Sequence, residues 1–327
     1  MIWSGARLPR MIAPPRSSPA LLRWLLAPLC GLALVVAPVW AEGPAGVVAF
    51  AQDDLGNDWR RVQVEEVRAV LAEYPGIDFR VSDARGNLAL QVKHIEDWAM
   101  ADVDVLITSP MDAVAMAPVI RRVHEAGIPV ILLSRRVQGE AFTSFVHADN
   151  RRIARQAGEA VVDALGGQGR LLMLEGLPGA SPTRLRREAF LRVVGAYPGI
   201  EVVSRTADFL RGDAIRAVEG LIEAEGGFAF DAIYAQSDSM AAGARMALDR
   251  HGVAVEPLFI VGIDYIREAR AAIRENRQDL SFTYPTGGRR GAELAVDLLS
   301  GRSVPREVLL ESRAVTRENV DTIEPIF

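Results

Sequence analysis

Cysteine is almost absent: the 327-residue chain contains one, Cys30. That excludes a disulfide scaffold and any Cys-rich zinc or iron–sulfur site. Aromatic residues make up only 6%, so many rings cannot wall a ligand site. The four histidines (His94, His124, His147, His251) are scattered without metal-ligand spacing and read as surface or capping residues. No G-x-G-x-x-G follows the first strand of either half, and Gly166-Gly167-Gln168-Gly169 precedes a strand instead of following one. A dinucleotide fold is therefore disfavoured. A nucleophile elbow is also missing. The adjacent Asp53 and Asp54 sit on one loop, where neighbouring side chains diverge and do not act as an acid/base pair. The chain reads as a binder with no catalysis and no cofactor. What is present is ordinary: 50% hydrophobic, 24% charged, net charge −5, with 28 Gly and 18 Pro. Collagen-like, coiled-coil and disordered classes are excluded, and the length allows two domains.

Residues 1–41 hold Arg7, Arg10, Arg16 and Arg23 and no acid. An apolar run over 21–36 follows, then Ala37-Pro38-Val39-Trp40-Ala41, with small residues three and one before the end. This is the pattern of a secretory signal peptide cut after Ala41. Arg23 and Pro28 suit a short apolar region better than a membrane span. The basic stretch before Met11 is long, so both Met1 and Met11 stand as starts. Leu29 before Cys30 and the apolar sequence after it argue against lipid attachment. Loss of the four arginines takes the net charge from −5 to −9. An acidic exported chain is a poor partner for nucleic acid, whose phosphates call for basic residues.

Beyond the leader, short aliphatic runs alternate with helical patterns, the mark of a parallel α/β sheet. Strands are predicted at 47–51, 79–82, 103–108 and 130–133, then at 171–174, 201–204, 232–235 and 258–262. Helices are predicted between them, among them 59–74, 113–126, 183–197 and 239–250. The halves echo each other. Val67, Val70, Leu71 and Tyr74 form one helix face, and Phe190, Val193, Val194 and Tyr197 repeat it 123 positions later. Both faces end alike, in Tyr74-Pro75-Gly76-Ile77-Asp78 and Tyr197-Pro198-Gly199-Ile200-Glu201. Asp104-Val105-Leu106-Ile107 matches Asp231-Ala232-Ile233-Tyr234, and Pro129-Val130-Ile131-Leu132 matches Pro257-Leu258-Phe259-Ile260. The expected fold is two similar Rossmann-like α/β lobes facing each other. Ligands of open parallel sheets bind beyond the carboxyl ends of the strands, which singles out loops 52–60, 108–112, 134–136, 175–186, 236–239 and 263–265.

In the first loop Trp59 stands where a helix begins, and its ring can stack on the C–H face of a sugar while Asn57 and Arg60 hydrogen-bond. The alternative is a helix cap at Asn57 or Asp58 with Trp59 as packing. Ser134-Arg135-Arg136 and Gly262-Ile263-Asp264-Tyr265 end corresponding strands, so Arg135 and Asp264 are placed to face each other. A guanidinium and a carboxylate together bind neighbouring hydroxyls. Arg186 is the sharpest candidate in the basic run 184–187.

These residues resemble the periplasmic sugar-binding proteins of the ribose/galactose type, relatives of the ligand domain of LacI-type repressors. The resemblance covers about 46–320. It rests on Gly56-Asn57-Asp58-Trp59-Arg60, Gly127-Ile128-Pro129-Val130, Ala148-Asp149-Asn150, Ala235-Gln236-Ser237-Asp238-Ser239-Met240, Val261-Gly262-Ile263-Asp264 and Val315-Thr316-Arg317-Glu318-Asn319-Val320, in that order. The pair Trp59-Arg60 is similar to that of galactofuranose-type binders. The resemblance implies ligand contacts at Asn57, Trp59, Arg60, Ser134, Arg135, Arg186, Ser237, Asp238, Asp264 and Thr283. Ser134 departs from the family's usual Asp and Ser237 from its usual Asn, which disfavours an ordinary pyranose and suits a bulkier ligand or one without that set of hydroxyls. The resemblance further implies a type I periplasmic binding protein. Its first lobe spans 44–148 plus 284–311 and its second 149–283 plus 312–327, joined by a three-stranded hinge near 148–150, 282–285 and 309–313. It implies a periplasmic monomer that closes on a sugar or polyol and serves an ABC permease or a sensor histidine kinase. A transcription regulator needs an N-terminal helix-turn-helix where the leader stands, and an exported enzyme needs a nucleophile or paired acids in the cleft.

Overall fold

The structure, a computed structural model, describes residues 43–327. The leader, its cleavage after Ala41 and Cys30 lie outside the described residues. Strand β1 (Gly46–Gln52) opens the first sheet, and α1 (Asp58–Leu71), β2 (Ile77–Asp83), α2 (Leu88–Met100), β3 (Val105–Thr108), α3 (Ala117–Glu125), β4 (Val130–Leu133) and β5 (Ser144–Ala148) follow. The chain then enters a second sheet through α4 (Asn150–Leu165), β6 (Gln168–Glu175), α5 (Ser181–Val194), β7 (Gly199–Thr206), α6 (Arg211–Glu225), β8 (Ala232–Ala235), α7 (Asp238–Arg250), β9 (Phe259–Val261), α8 (Arg267–Arg274) and β10 (Leu280–Phe282). It returns through α9 (Gly288–Leu299) and β11 (Glu307–Leu310) to the first sheet, and ends in β12 (Ala314–Thr316) of the second.

The first sheet has the order β11-β5-β4-β3-β1-β2 and the second β12-β10-β9-β8-β6-β7. Every pairing is parallel apart from β12 against β10. The fold is therefore a two-sheet α/β architecture crossed three times, at 148–150, 283–287 and 311–313. Helices cover both faces of each sheet, which is why its strands read as unbroken apolar runs. On β1, Val48 and Phe50 pack with α1 and α9, while Ala49 and Ala51 face α2 and α3. On β6, Leu171 and Met173 face α4 and α5, while Leu172 and Leu174 face α6 and α7. Each such side chain stabilises the fold by roughly 1.5–3 kcal/mol, with Ala contributing less.

The repeated sequence words make the same local structure. Tyr74 N donates to Leu71 O and Ile77 N to Tyr74 O, while Tyr197 N donates to Val194 O and Ile200 N to Tyr197 O. One predicted helix starts late: 113–126 becomes Ala117–Glu125. Asp112 Oδ1 accepts from Val114 N and Ala115 N at 2.8 and 2.7 Å, which folds 112–115 into a turn, and Pro118 then occupies the helix's first turn. The strand predicted at 201–204 extends over Gly199–Thr206. Among the described residues, no helix is long and apolar enough to cross a membrane.

Candidate functional site

The carboxyl ends of the two sheets meet around a cavity. From the first sheet it is lined by Asn57, Trp59, Arg60, Ser134 and Arg135, and from the second by Arg186, Ser237 and Asp264. Asn57 caps α1 by accepting from Arg60 N at 3.1 Å. Its Nδ2 donates 2.9 Å to Phe209 O on the opposite lobe, so it both caps and bridges. Trp59 is buried, and its Nε1 donates 3.1 Å to Tyr284 O while the two ring centroids stand 5.8 Å apart. Trp59 thus packs against Tyr284 and also lines the cavity.

The arginines are spent unevenly. Arg60 Nη1 donates to Ser109 Oγ at 2.7 Å and to Ser134 Oγ at 3.4 Å, and its Nε lies 3.3 Å from Asp53 Oδ1. Burial, with the neighbouring Arg135 charge second, lowers the Arg60 pKa to about 10. Arg135 Nη1 donates 2.6 Å to Asp53 Oδ2, but its buried Nε has no partner. Arg186 donates from Nε to Asn150 Oδ1 at 2.8 Å and from Nη1 to Gln236 O. Its Cζ lies 4.6 Å from the Tyr284 ring centroid, within cation–π range. Across the cavity, burial holds the Asp264 carboxyl well above the usual carboxylate range, although Arg186 and Arg60 pull it down. The Asp264 backbone is left-handed, with φ 117°, and is fixed by donation from its N to Phe282 O at 2.9 Å. Ser237 Oγ caps α7, accepting from Met240 N at 3.2 Å. Among the described residues no cluster of His, Cys, Asp and Glu fits a metal ion.

Two of the expected contacts lie outside the lining. Asp238 is fully buried, and its carboxylate is occupied by Tyr265 N at 2.6 Å, Ser281 Oγ at 2.6 Å and Gln278 Nε2 at 2.7 Å. It points into the second lobe because the first helical residue after the Ser237 cap turns inward. Thr283 Oγ1 accepts from Arg313 N at 2.9 Å and so ties two crossing segments together. Conversely, the structure adds Phe209, Tyr284 and Pro182 to the lining. Phe209 sits in the loop after β7. That loop is itself a strand end, so the rule applied to the other strands would have found it. Asp53, set aside in the sequence, lies directly behind Arg60 and Arg135. It diverges from Asp54, which accepts from Gly56 N at 2.7 Å.

Residues 48–303 match the periplasmic binding protein domain. The chain belongs to the periplasmic binding protein family. This is a family of exported solute-binding proteins. The binding protein is 28% identical over 240 residues to the ribose import binding protein of Bacillus subtilis, covering 72% of this chain and 76% of the relative. It is 27% identical over 255 residues to a xylitol-binding protein of Mycolicibacterium smegmatis, covering 76% and 72%. A solute-binding protein of Bacillus halodurans solved with myo-inositol superposes with TM-score 0.79 at 26% identity, over 86% of this chain and 97% of that one. The fructose-binding periplasmic domain of a hybrid two-component system superposes with TM-score 0.78 at 27% identity, over 85% and 92%.

Proposed function

We propose that this binding protein is an exported receptor that encloses a sugar or polyol between its lobes and presents the closed form to an ABC permease. The observation that carries this reading is the convergence of three buried guanidinium groups, one carboxyl and three rings on a single interlobe cavity. Trp59, Phe209 and Tyr284 offer apolar faces to the C–H side of a ring. Asn57, Arg60, Ser134, Arg135, Arg186, Ser237 and Asp264 serve its hydroxyls. The relatives that bind ribose and xylitol, and the neighbour solved with myo-inositol, support this ligand class. On this reading the first lobe spans 44–148 plus 284–311, the second 149–283 plus 312–327, and the three crossings are the hinge.

Isothermal titration against ribose, galactose, galactofuranose, fructose, xylitol and myo-inositol tests the reading. A dissociation constant in the micromolar range, about −8 kcal/mol, is expected for at least one. The absence of heat from all of them overturns it. Delivery to a sensor histidine kinase is the second reading, favoured by the likeness to the two-component fructose domain. Co-purification from detergent-solubilised membranes separates the two by which membrane protein is retained. Residues 1–41 act as the export leader, and N-terminal sequencing of the exported protein is expected to begin at Glu42.

A further inference from the structure

We infer that Asp53 is the positioning residue of the ligand site: one carboxylate, set behind the cavity, holds both first-lobe guanidinium groups in place and sets the charge they present. The inference rests on the ligand reading above. Asp53 follows the last residue of β1 and is 4% exposed. Its Oδ2 takes the Arg135 Nη1 hydrogen bond at 2.6 Å, and its Oδ1 lies 3.3 Å from Arg60 Nε without a hydrogen bond. Arg60 and Arg135 are 7% and 2% exposed, so water cannot screen their mutual repulsion. Among the described residues, Asp53 is the one carboxylate within ion-pair reach of either. With its charge in place, the pair presents one net positive charge to the ligand. Without it, two unpaired guanidinium groups share one dry wall, at high cost.

Ser134 supplies the control. Its Oγ already touches Arg60 Nη1, and it precedes Arg135 in the chain. A carboxylate there reaches the same guanidinium pair from the cavity side. The experiment compares wild type, Asp53→Asn and the double variant Asp53→Asn/Ser134→Asp. The first measurement is ligand-free: arginine Nη–H signals in ¹⁵N–¹H spectra, because Arg135 meets Asp53 through Nη1. A protected Arg135 Nη–H signal is expected in wild type, lost in Asp53→Asn and regained in the double variant. The second is titration with whichever panel sugar or polyol binds wild type. Asp53→Asn is expected to weaken binding by on the order of tenfold or more; the double variant is read in the ligand-free spectra alone, because Ser134 itself lines the cavity. The inference is overturned if the Arg135 signal persists in Asp53→Asn, if that variant binds within about twofold of wild type, or if the added carboxylate restores no arginine signal in the ligand-free spectra. Wild type that binds no sugar or polyol sinks the ligand reading alone, because the ligand-free spectra still decide the role of Asp53.

Discussion

Phe209 shows how closely single residues are fitted around the cavity. Its ring lies 5.6 Å from Arg135 Cζ and 5.9 Å from Arg186 Cζ, one from each lobe. It is seated there because Gly176 has no side chain: a Cβ at that position would stand 2.0 Å from the ring tip. The tip of a ring can swing away, so Gly176→Ala is expected to change the melting temperature little while weakening ligand binding by on the order of tenfold. Thermal melting and titration on the same sample separate the two effects. Asp238 gives a pH signature instead. Burial pushes its carboxyl up to about 6 despite three hydrogen bonds that favour the ionised form. The folded state therefore keeps a proton that the unfolded chain releases near pH 4. The contribution of Asp238 to stability falls as pH rises from about 4 through about 6, by on the order of 2–3 kcal/mol, and is flat above that. Urea unfolding of wild type and Asp238→Asn should show the wild type losing ground to the variant across that window and no further change from pH 7 to 8. The family resemblance implied a ligand contact at Asp238, which lies outside the cavity lining. Only packing reveals that its carboxylate faces Tyr265, Ser281 and Gln278 instead.

At the scale of elements, α1 joins two functions in one cap. Asn57 Oδ1 accepts from Arg60 N, whereas its Nδ2 reaches Phe209 O. Asn57→Asp keeps the acceptor and removes the donor. Ligand-free stability is expected to stay within about 1 kcal/mol of wild type, because Asp caps helices as well as Asn does. Ligand affinity is expected to fall, by titration, because the bridge between lobes is lost. A fall in stability with unchanged affinity would show that the bridge plays no part in closure. Strands covered on both faces announce themselves as aliphatic runs, which is why β3, β4, β6 and β8 were legible from the sequence. The loop after β7 was not. Residues 207–210 mix small, charged, aromatic and aliphatic side chains, and the loop's shape depends on left-handed backbone at Asp208 and Phe209, φ 50° and 64°. Asp is enriched in that conformation, but a phenylalanine does not signal it.

Across the whole molecule, the two sheets meet in direct backbone contact beside the cavity. Ala113 N donates to Gly179 O at 2.9 Å, and Arg136 N donates to Ser181 Oγ at 2.8 Å. A side chain on Gly179 would run into Asp112, whose Oδ2 would lie 2.1 Å from the new Cβ. That carboxylate is pinned by Val114 N and Ala115 N and cannot easily yield. Gly179→Val is therefore expected to hold the lobes apart. Small-angle scattering at saturating ligand should give a radius of gyration like that of the ligand-free protein, and affinity should fall by on the order of tenfold. The duplication that generates these opposed sheets was readable from paired words such as Tyr74-Pro75-Gly76 and Tyr197-Pro198-Gly199. The contacts across the gap were not, since each depends on how two separately folded surfaces come together.

Tyr284 belongs to a crossing segment, yet its carbonyl is held by the Trp59 indole and its ring lies under the Arg186 guanidinium. Occupancy and signal are thereby separable. A guest too wide to leave that indole and that guanidinium on Tyr284 would lodge in the mouth without drawing the halves together. Such a molecule would be a silent competitor, held by the receptor yet unseen by whatever stands downstream.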